Sequence, residues 1–247
     1  MNGLKIKNIA VVLAGGSGTR LGENLPKQFL KVAGKTIIEH TIDVFEEAPS
    51  IDEIVIVVRS DFATDVEKLV NQNDYRKVKT ILRGGKERYE SSWAAIHAYD
   101  EEVNFLLHDA VRPLVDNRII EDCICALQTY DAVSVAMPST DTIFQVDQSN
   151  CIIEIPDRTV LRNAQTPQCF KRSVILKAYE KALQDPNFKA TDDCSVVKKY
   201  LPQIPIKVVK GAVYNIKITY KEDLFLLEKL LQLKSFQKGH KGLSFQQ

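Results

Sequence analysis

The sequence predicts an α/β fold: a mostly parallel sheet flanked by helices, with a β-hairpin arm projecting from it. Three observations carry that prediction. Short β-branched runs alternate with amphipathic segments through the first half of the chain, as βαβ units require. A glycine-rich turn follows the first of those runs, and open parallel sheets place ligands just beyond the carboxyl ends of their strands. After Met137 the rhythm changes to apolar and polar residues alternating around a polar centre, which is hairpin patterning.

The first strand is expected at 9–13 (IAVVL), and others at 54–58 (IVIVV), 78–82 (VKTIL), 105–108 (FLLH) and 132–137 (AVSVAM). Between the first two, Ile37, Ile38, Thr41, Ile42 and Phe45 recur at helical spacing, and Thr36 with Glu39 makes a capping box. Similar patterns predict helices over 61–72, 87–99 and 117–129. The stretch 138–158 is the expected arm, with 147–150 as its polar centre. Beyond it, helices are expected at 172–184 and 192–200, a strand at 206–209 and a last helix over about 221–233. The residues from 235 onward are polar and read as a flexible tail, leaving 1–234 as one domain.

Composition excludes several classes. Hydrophobic residues are 45% and charged residues 26% of 247, with 11 Gly and 9 Pro, which is globular usage rather than that of a disordered, collagenous or coiled-coil chain. A net charge of +1 provides no global field for nucleic acid or anionic lipid, so anions must be recruited locally. No apolar run approaches the roughly 20 residues of a transmembrane helix, and the amino-terminal stretch runs straight into a turn without a cleavage site. Five cysteines without a C-x-x-C pair, and four scattered histidines, suggest neither a disulfide framework nor a transition-metal site. A reducing cytoplasm fits that usage.

The chemistry is expected after the strands. Behind the first lies LAGGSGTRLG, from Leu13 to Gly22, then Pro26-Lys27-Gln28. Gly15, Gly16 and Gly18 let backbone N–H groups approach phosphate oxygens, while Arg20 and Lys27 supply charge. The dinucleotide pattern G-x-G-x-x-G fails because position 21 is Leu21, and Gly34-Lys35-Thr36 fails as a P-loop because Phe29 stands where its first glycine belongs. GGKER at 84–88 and HDAVRP at 108–113 follow the third and fourth strands. Asp109 and Arg112 read either as a ligand site or as a buried pair that holds the turn. Asp109 could hold Mg²⁺ through water, orient a sugar hydroxyl, or both. Thr191 reads mainly as a helix N-cap. Lys217, expected inside an alternating strand over 215–219, favours a phosphate partner over a solvated edge.

Taken in order, LAGGSGTRLG, PKQF, GGKER, HDAVRP, DTI, QTPQ, TDD and NIKIT resemble the cytidylyltransferases that join CTP to a polyol phosphate, over about residues 9–231. The resemblance implies a Rossmann-like nucleotidyltransferase fold whose arm pairs two subunits. It implies that Arg20, Lys27 and Lys217 are catalytic, with Mg²⁺ bridging the CTP phosphates. Leu13, Ala14, Gly15, Gly16, Gly18, Gly84, Arg88, Ser91, Asp109 and Ala110 would form the nucleotide subsite. Asp109, Arg112, Thr142, Arg158, Thr166, Thr191 and Lys217 would surround the polyol phosphate and the reacting α-phosphate. Two acceptors share these motifs, D-ribitol 5-phosphate and 2-C-methyl-D-erythritol 4-phosphate. The double glycine at 15–16, HDAVRP, IPDR and Cys194 lean toward ribitol. A sugar-1-phosphate nucleotidyltransferase using UTP or GTP and a nucleotide-sensing subunit are the other classes, against which the TPQ and NIK segments and the retained Arg20, Lys27 and Lys217 speak.

Overall fold

The computed structural model describes residues 5–16 and 25–239, with the side chains of the last helix only to residue 234. The chain begins with strand β1 (Lys7–Ala14), a two-stranded turn of β2 (Lys31–Val32) and β3 (Lys35–Thr36), and helix α1 (Ile37–Glu47). Strands β4 (Glu53–Val58), β5 (Val78–Arg83), β6 (Val103–Asp109) and β7 (Ala132–Pro138) then alternate with helices α2 (Ala63–Gln72), α3 (Arg88–His97) and α4 (Asn117–Leu127). The Thr36 to Glu39 capping box forms as its spacing predicts. The turn between β2 and β3 uses Ala33 and Gly34 at φ of 49° and 86°, the paired left-handed geometry of a tight hairpin.

After β7 the short strands β8 (Gln145–Val146) and β9 (Ile152–Glu154) pair as the expected arm. The chain returns through β10 (Arg162–Lys171), followed by helices α5 (Arg172–Ala182) and α6 (Asp193–Tyr200), strand β11 (Ile206–Lys210) and helix α7 (Lys221–Gly239). The sheet order is β11-β7-β10-β6-β1-β4-β5. Every neighbouring pair is parallel except those of β10, which runs antiparallel to both β6 and β7.

Both faces of the sheet are covered, and strand alternation explains the two cores. Ala10 and Val12 of β1, with Ile54 and Ile56 of β4, pack against Ile38, Ile42 and Phe45 of α1 and Ile119 and Ile120 of α4. Ile9, Val11, Val55 and Val57 point the other way, onto Ile96 of α3, Ile175 and Tyr179 of α5 and Val196 of α6. No helix among the described residues is long and apolar enough to cross a membrane.

Four sequence expectations are corrected. The strand β10 was not foreseen, because Pro167 and a charged end mask a run whose centre, Thr166 to Phe170, is wholly buried between β6 and β7. Residues 215–219 form no strand, so Lys217 rides on an irregular segment tied down where the Ile218 amide donates to the Val111 carbonyl at 2.9 Å. The N-cap of α6 is Asp192, whose carboxylate accepts from Ser195 N at 2.8 Å, and not Thr191, which is exposed. The last helix runs on to Gly239, past its expected end at 233 and into the segment read as a tail.

Candidate active site

A cavity of about 320 Å³ opens beyond the carboxyl ends of the strands, where the topology puts the loops that follow β1, β5 and β6. It is lined by Leu13, Ala14, Gly15, Gly16, Lys27, Gln28, Lys86, Glu87, Arg88, Ser91, Asp109, Ala110, Val111 and Lys217. Nearly all the expected nucleotide subsite therefore converges on one place. Gly84 belongs to the same wall, since a Cβ there would stand 2.7 Å from Ser91 Oγ, as one on Gly15 would at 2.8 Å. Glycine at both positions lets two backbone turns close over Ser91. Its hydroxyl is buried and has no hydrogen-bond partner among the described residues. A buried donor left in that state calls for a ligand or water.

Charge is concentrated at the cavity floor around Asp109. Its Oδ2 lies 2.9 Å from Lys217 Nζ and 3.6 Å from Arg112 Nε, and its Oδ1 lies 3.3 Å from Arg88 Nε. Burial alone would raise this carboxyl, but Arg88, Lys217 and Arg112 outweigh it and hold the group well below the usual carboxylate range. Arg88 is held from behind by Asp193, 2.5 Å from Nη1, and Asp193 in turn accepts from Tyr179 Oη at 2.7 Å. Asp193 is wholly buried at the start of α6. It was quoted within TDD, yet its bracing role was not foreseen; the signal was its place as the first helical residue, turned inward beside the capping Asp192.

A second network sits beneath the floor. Thr166 Oγ1 accepts from Asp109 N at 3.2 Å, so its own hydrogen goes to His108 Nδ1 at 2.9 Å, and His108 Nε2–H donates to the Arg112 carbonyl at 3.1 Å. Burial pushes the His108 pKa down to about 4, which keeps the ring neutral and the relay intact. Arg112 donates through Nη1 to the Asn215 carbonyl at 2.8 Å, while Asn215 Nδ2 donates to the Thr166 carbonyl at 3.0 Å. The segment carrying Lys217 is thereby fastened to both β6 and β10.

Some expected residues lie elsewhere. Gly18 and Arg20 fall outside the described residues. Thr166 and Arg112 lie under the cavity rather than in its lining; Thr166 Oγ1 and the two terminal nitrogens of Arg112 hydrogen-bond to the protein, while Arg112 Nε meets Asp109 only as an ion pair at 3.6 Å. Thr142 and Arg158 are exposed on the arm, and Thr191 is exposed before α6; none of the three lines the cavity. Among the described residues no group of three His, Cys, Asp or Glu side chains comes together to hold a metal. With Asp109 already shared by three cations, this donor set fits a divalent ion carried mainly by substrate phosphates and water, not an all-protein cage.

Residues 8–233 match the family described as 2-C-methyl-D-erythritol 4-phosphate cytidylyltransferase (IspD). An enzyme of that name from Thermobifida fusca is 46% identical over 230 residues, 90% of this chain and 92% of its own length. A bifunctional ribulose 5-phosphate reductase/CDP-ribitol pyrophosphorylase from Haemophilus influenzae is 45% identical over 94% of this chain, a match that spans 49% of that larger protein. The crystal structure of 4-diphosphocytidyl-2C-methyl-D-erythritol synthase from Anaerococcus prevotii superimposes with a TM-score of 0.81 at 30% identity, covering 92% of this chain and 99% of that one. With its Rossmann-like sheet and the cation-rich cavity at the strand ends, the chain belongs to the 2-C-methyl-D-erythritol 4-phosphate cytidylyltransferase (IspD) family of nucleotidyltransferases.

Proposed function

We propose that the protein transfers CMP from CTP to D-ribitol 5-phosphate, giving CDP-ribitol and pyrophosphate. The observation that carries a nucleotidyl transfer is the cavity's charge pattern: Lys27, Lys86, Arg88 and Lys217 around a floor where Asp109 stays ionised. Such a transfer needs positioning and charge neutralisation rather than a protein nucleophile, because the acceptor's phosphate oxygen is itself the attacking anion. Lys27 and Lys217, with Arg20, would flank the reacting α-phosphate and relieve repulsion between the two anions. Ser91, Gly15, Gly16, Gly18 and Gly84 would receive the nucleoside. Mg²⁺ arriving with CTP would neutralise phosphate charge, with Asp109 within reach of it through water.

For the acceptor, support comes from the 45% identity to the CDP-ribitol pyrophosphorylase across 94% of the chain. The second reading, 2-C-methyl-D-erythritol 4-phosphate, is favoured by the family match and the 46% identical Thermobifida fusca relative. We further propose a homodimer joined through the arm, because Ile143, Phe144, Val146, Ile152, Ile153 and Ile155 are all exposed there, and an apolar surface of that kind marks an interface. Thr142 and Arg158 would then serve the partner's cavity. The cytoplasm is the compartment we propose, since all five thiols are unpaired.

The test is to incubate the protein with Mg²⁺, CTP and each polyol phosphate and follow pyrophosphate release. A kcat/KM at least about tenfold higher for ribitol 5-phosphate supports the first reading, and turnover of the branched erythritol phosphate alone establishes the second. Equal rates with CTP and UTP would count against the cytidine site.

A further inference from the structure

The geometry points to Gln28 as a positioning residue for the nucleotide loop, a side-chain pin that sets which way the backbone from Ala14 to Gly16 faces. This inference rests on the reading that the cavity takes CTP. Residues 27–29 form a single helical turn, closed by Phe29 N donating to the Pro26 carbonyl at 2.9 Å. Phe29 anchors one side of that turn, buried and stacked on Phe62 with ring centroids 4.9 Å apart. Gln28 anchors the other side. It is 2% exposed, and its Nε2 gives one hydrogen to the Ala14 carbonyl at 2.7 Å and the other to the Gly16 carbonyl at 3.0 Å.

Two consequences follow for an anion entering the cavity. Ala14, Gly16 and Gln28 all line it, so capping those carbonyls withdraws two partial negative charges from the anion's neighbourhood. A trans peptide also sets its N–H opposite its C=O, so fastening the Ala14 carbonyl turns the Gly15 N–H away from Gln28. Lys27 is the residue next to the pin, so the same two bonds fix the loop's position relative to that cation. The amide is the right chemistry here: a carboxylate of the same length would face two carbonyl oxygens with oxygens of its own.

The test compares Gln28→Glu and Gln28→Met with the wild-type protein, measuring kcat and KM for CTP and for the polyol phosphate at pH 8 and pH 6, with a thermal melt of each. At pH 8 Gln28→Glu should lose about 30-fold in kcat/KM for CTP, mainly through KM, while KM for the polyol phosphate moves less than about threefold. Burial against two acceptors raises the pKa of the introduced carboxyl, so its protonated form should restore one donor and shrink the deficit to about fivefold at pH 6. Gln28→Met, with no proton to regain, should lose about tenfold at both pH values. A deficit in Gln28→Glu that does not change with pH, equal losses for both substrates, or variants within about threefold of a fully active wild type would overturn the pin. Should Gln28→Glu not fold, an unchanged KM for CTP in Gln28→Met overturns it alone. Absence of CTP turnover in the wild type would instead overturn the reading of the site, and the pin with it.

Discussion

Replacing Asp193 by Asn would show whether the cavity floor is held from outside the cavity. The Asp193 carboxylate is wholly buried and joins two groups, Tyr179 Oη at 2.7 Å and Arg88 Nη1 at 2.5 Å, while Arg88 Nε reaches on to Asp109 at 3.3 Å. An amide keeps the shape but removes the charge and turns an NH₂ donor toward one of two donors. Removing one partner of a fully buried ion pair costs about 3–5 kcal/mol. Here Arg88 retains Asp109 and its side chain is 28% exposed, so about 2–3 kcal/mol is the appropriate size after solvent screening. In a chain of this length that lowers Tm by about 5–10 °C. With Arg88 no longer braced, Asp109 and Lys217 lose their fixed register, and kcat/KM for CTP should fall at least about tenfold. A calorimetric melt and pyrophosphate-release kinetics on one preparation measure both effects, and a double-mutant cycle with Tyr179→Phe measures the coupling. A Tm within about 2 °C of wild type together with unchanged kcat/KM would refute the reasoning and assign the placement of Arg88 to Asp109 alone.

Three further outcomes are expected. His108 has its pKa pushed down to about 4 in the folded chain against about 6.5 unfolded, so its contribution is complete above pH 6.5 and is lost as pH falls from there toward 4, by about 3 kcal/mol in all; melts between pH 7.5 and 4.5 should show a flatter decline in His108→Gln. Ser91→Ala should raise KM for CTP about five- to tenfold while leaving Tm within about 2 °C, since its buried hydroxyl has no partner to lose among the described residues; an unchanged KM would remove Ser91 from the nucleotide subsite. Arg158→Ala and Lys27→Ala homodimers should each be nearly inactive, yet equal amounts mixed after dissociation should recover about one quarter of wild-type activity, because half the dimers then carry one intact site. No recovery despite proven subunit exchange would place Arg158 in its own subunit's site.

What the sequence made legible divides along physical lines. β1, β4, β6 and β7 are apolar runs buried on both faces, and their composition alone announces them. Gly15 is readable as a close backbone approach to phosphate and Gly84 only through the family resemblance, and neither signals Ser91 as the side chain both close upon. The strand β10 was hidden because RNAQTPQCFK has neither alternation nor a β-branched run, and its register shifts between Ala164 and Gln168, the stretch containing Pro167. Lys217 reads in the sequence as a strand lysine facing a phosphate, whereas its partner in the structure is the Asp109 carboxylate and no strand carries it. Asp193 and Gln28 were invisible as braces because a polar residue declares its type in a sequence but not its partner, and both partners lie on elements distant in the chain.

The position of β10 fixes an order of events during synthesis. β7 and β11 connect to the β6-β1-β4-β5 half of the sheet only through β10, which enters between β6 and β7 after the arm has been traversed. A nascent chain ending anywhere in the arm therefore holds the four-stranded β6-β1-β4-β5 sheet and the single strand β7, whose two neighbours in the sheet, β10 and β11, are both still to come, and the β6 edge that β10 will cover is unpaired. On β6 that edge runs through Phe105, Leu106 and Leu107, the type of apolar edge that recruits foreign strands. The arm must emerge and turn back before β10 can join β7 to that sheet. Fragments cut within 139–161 and mixed as separate peptides should thus associate by strand insertion, reconstituting the sheet and the cavity floor in one step.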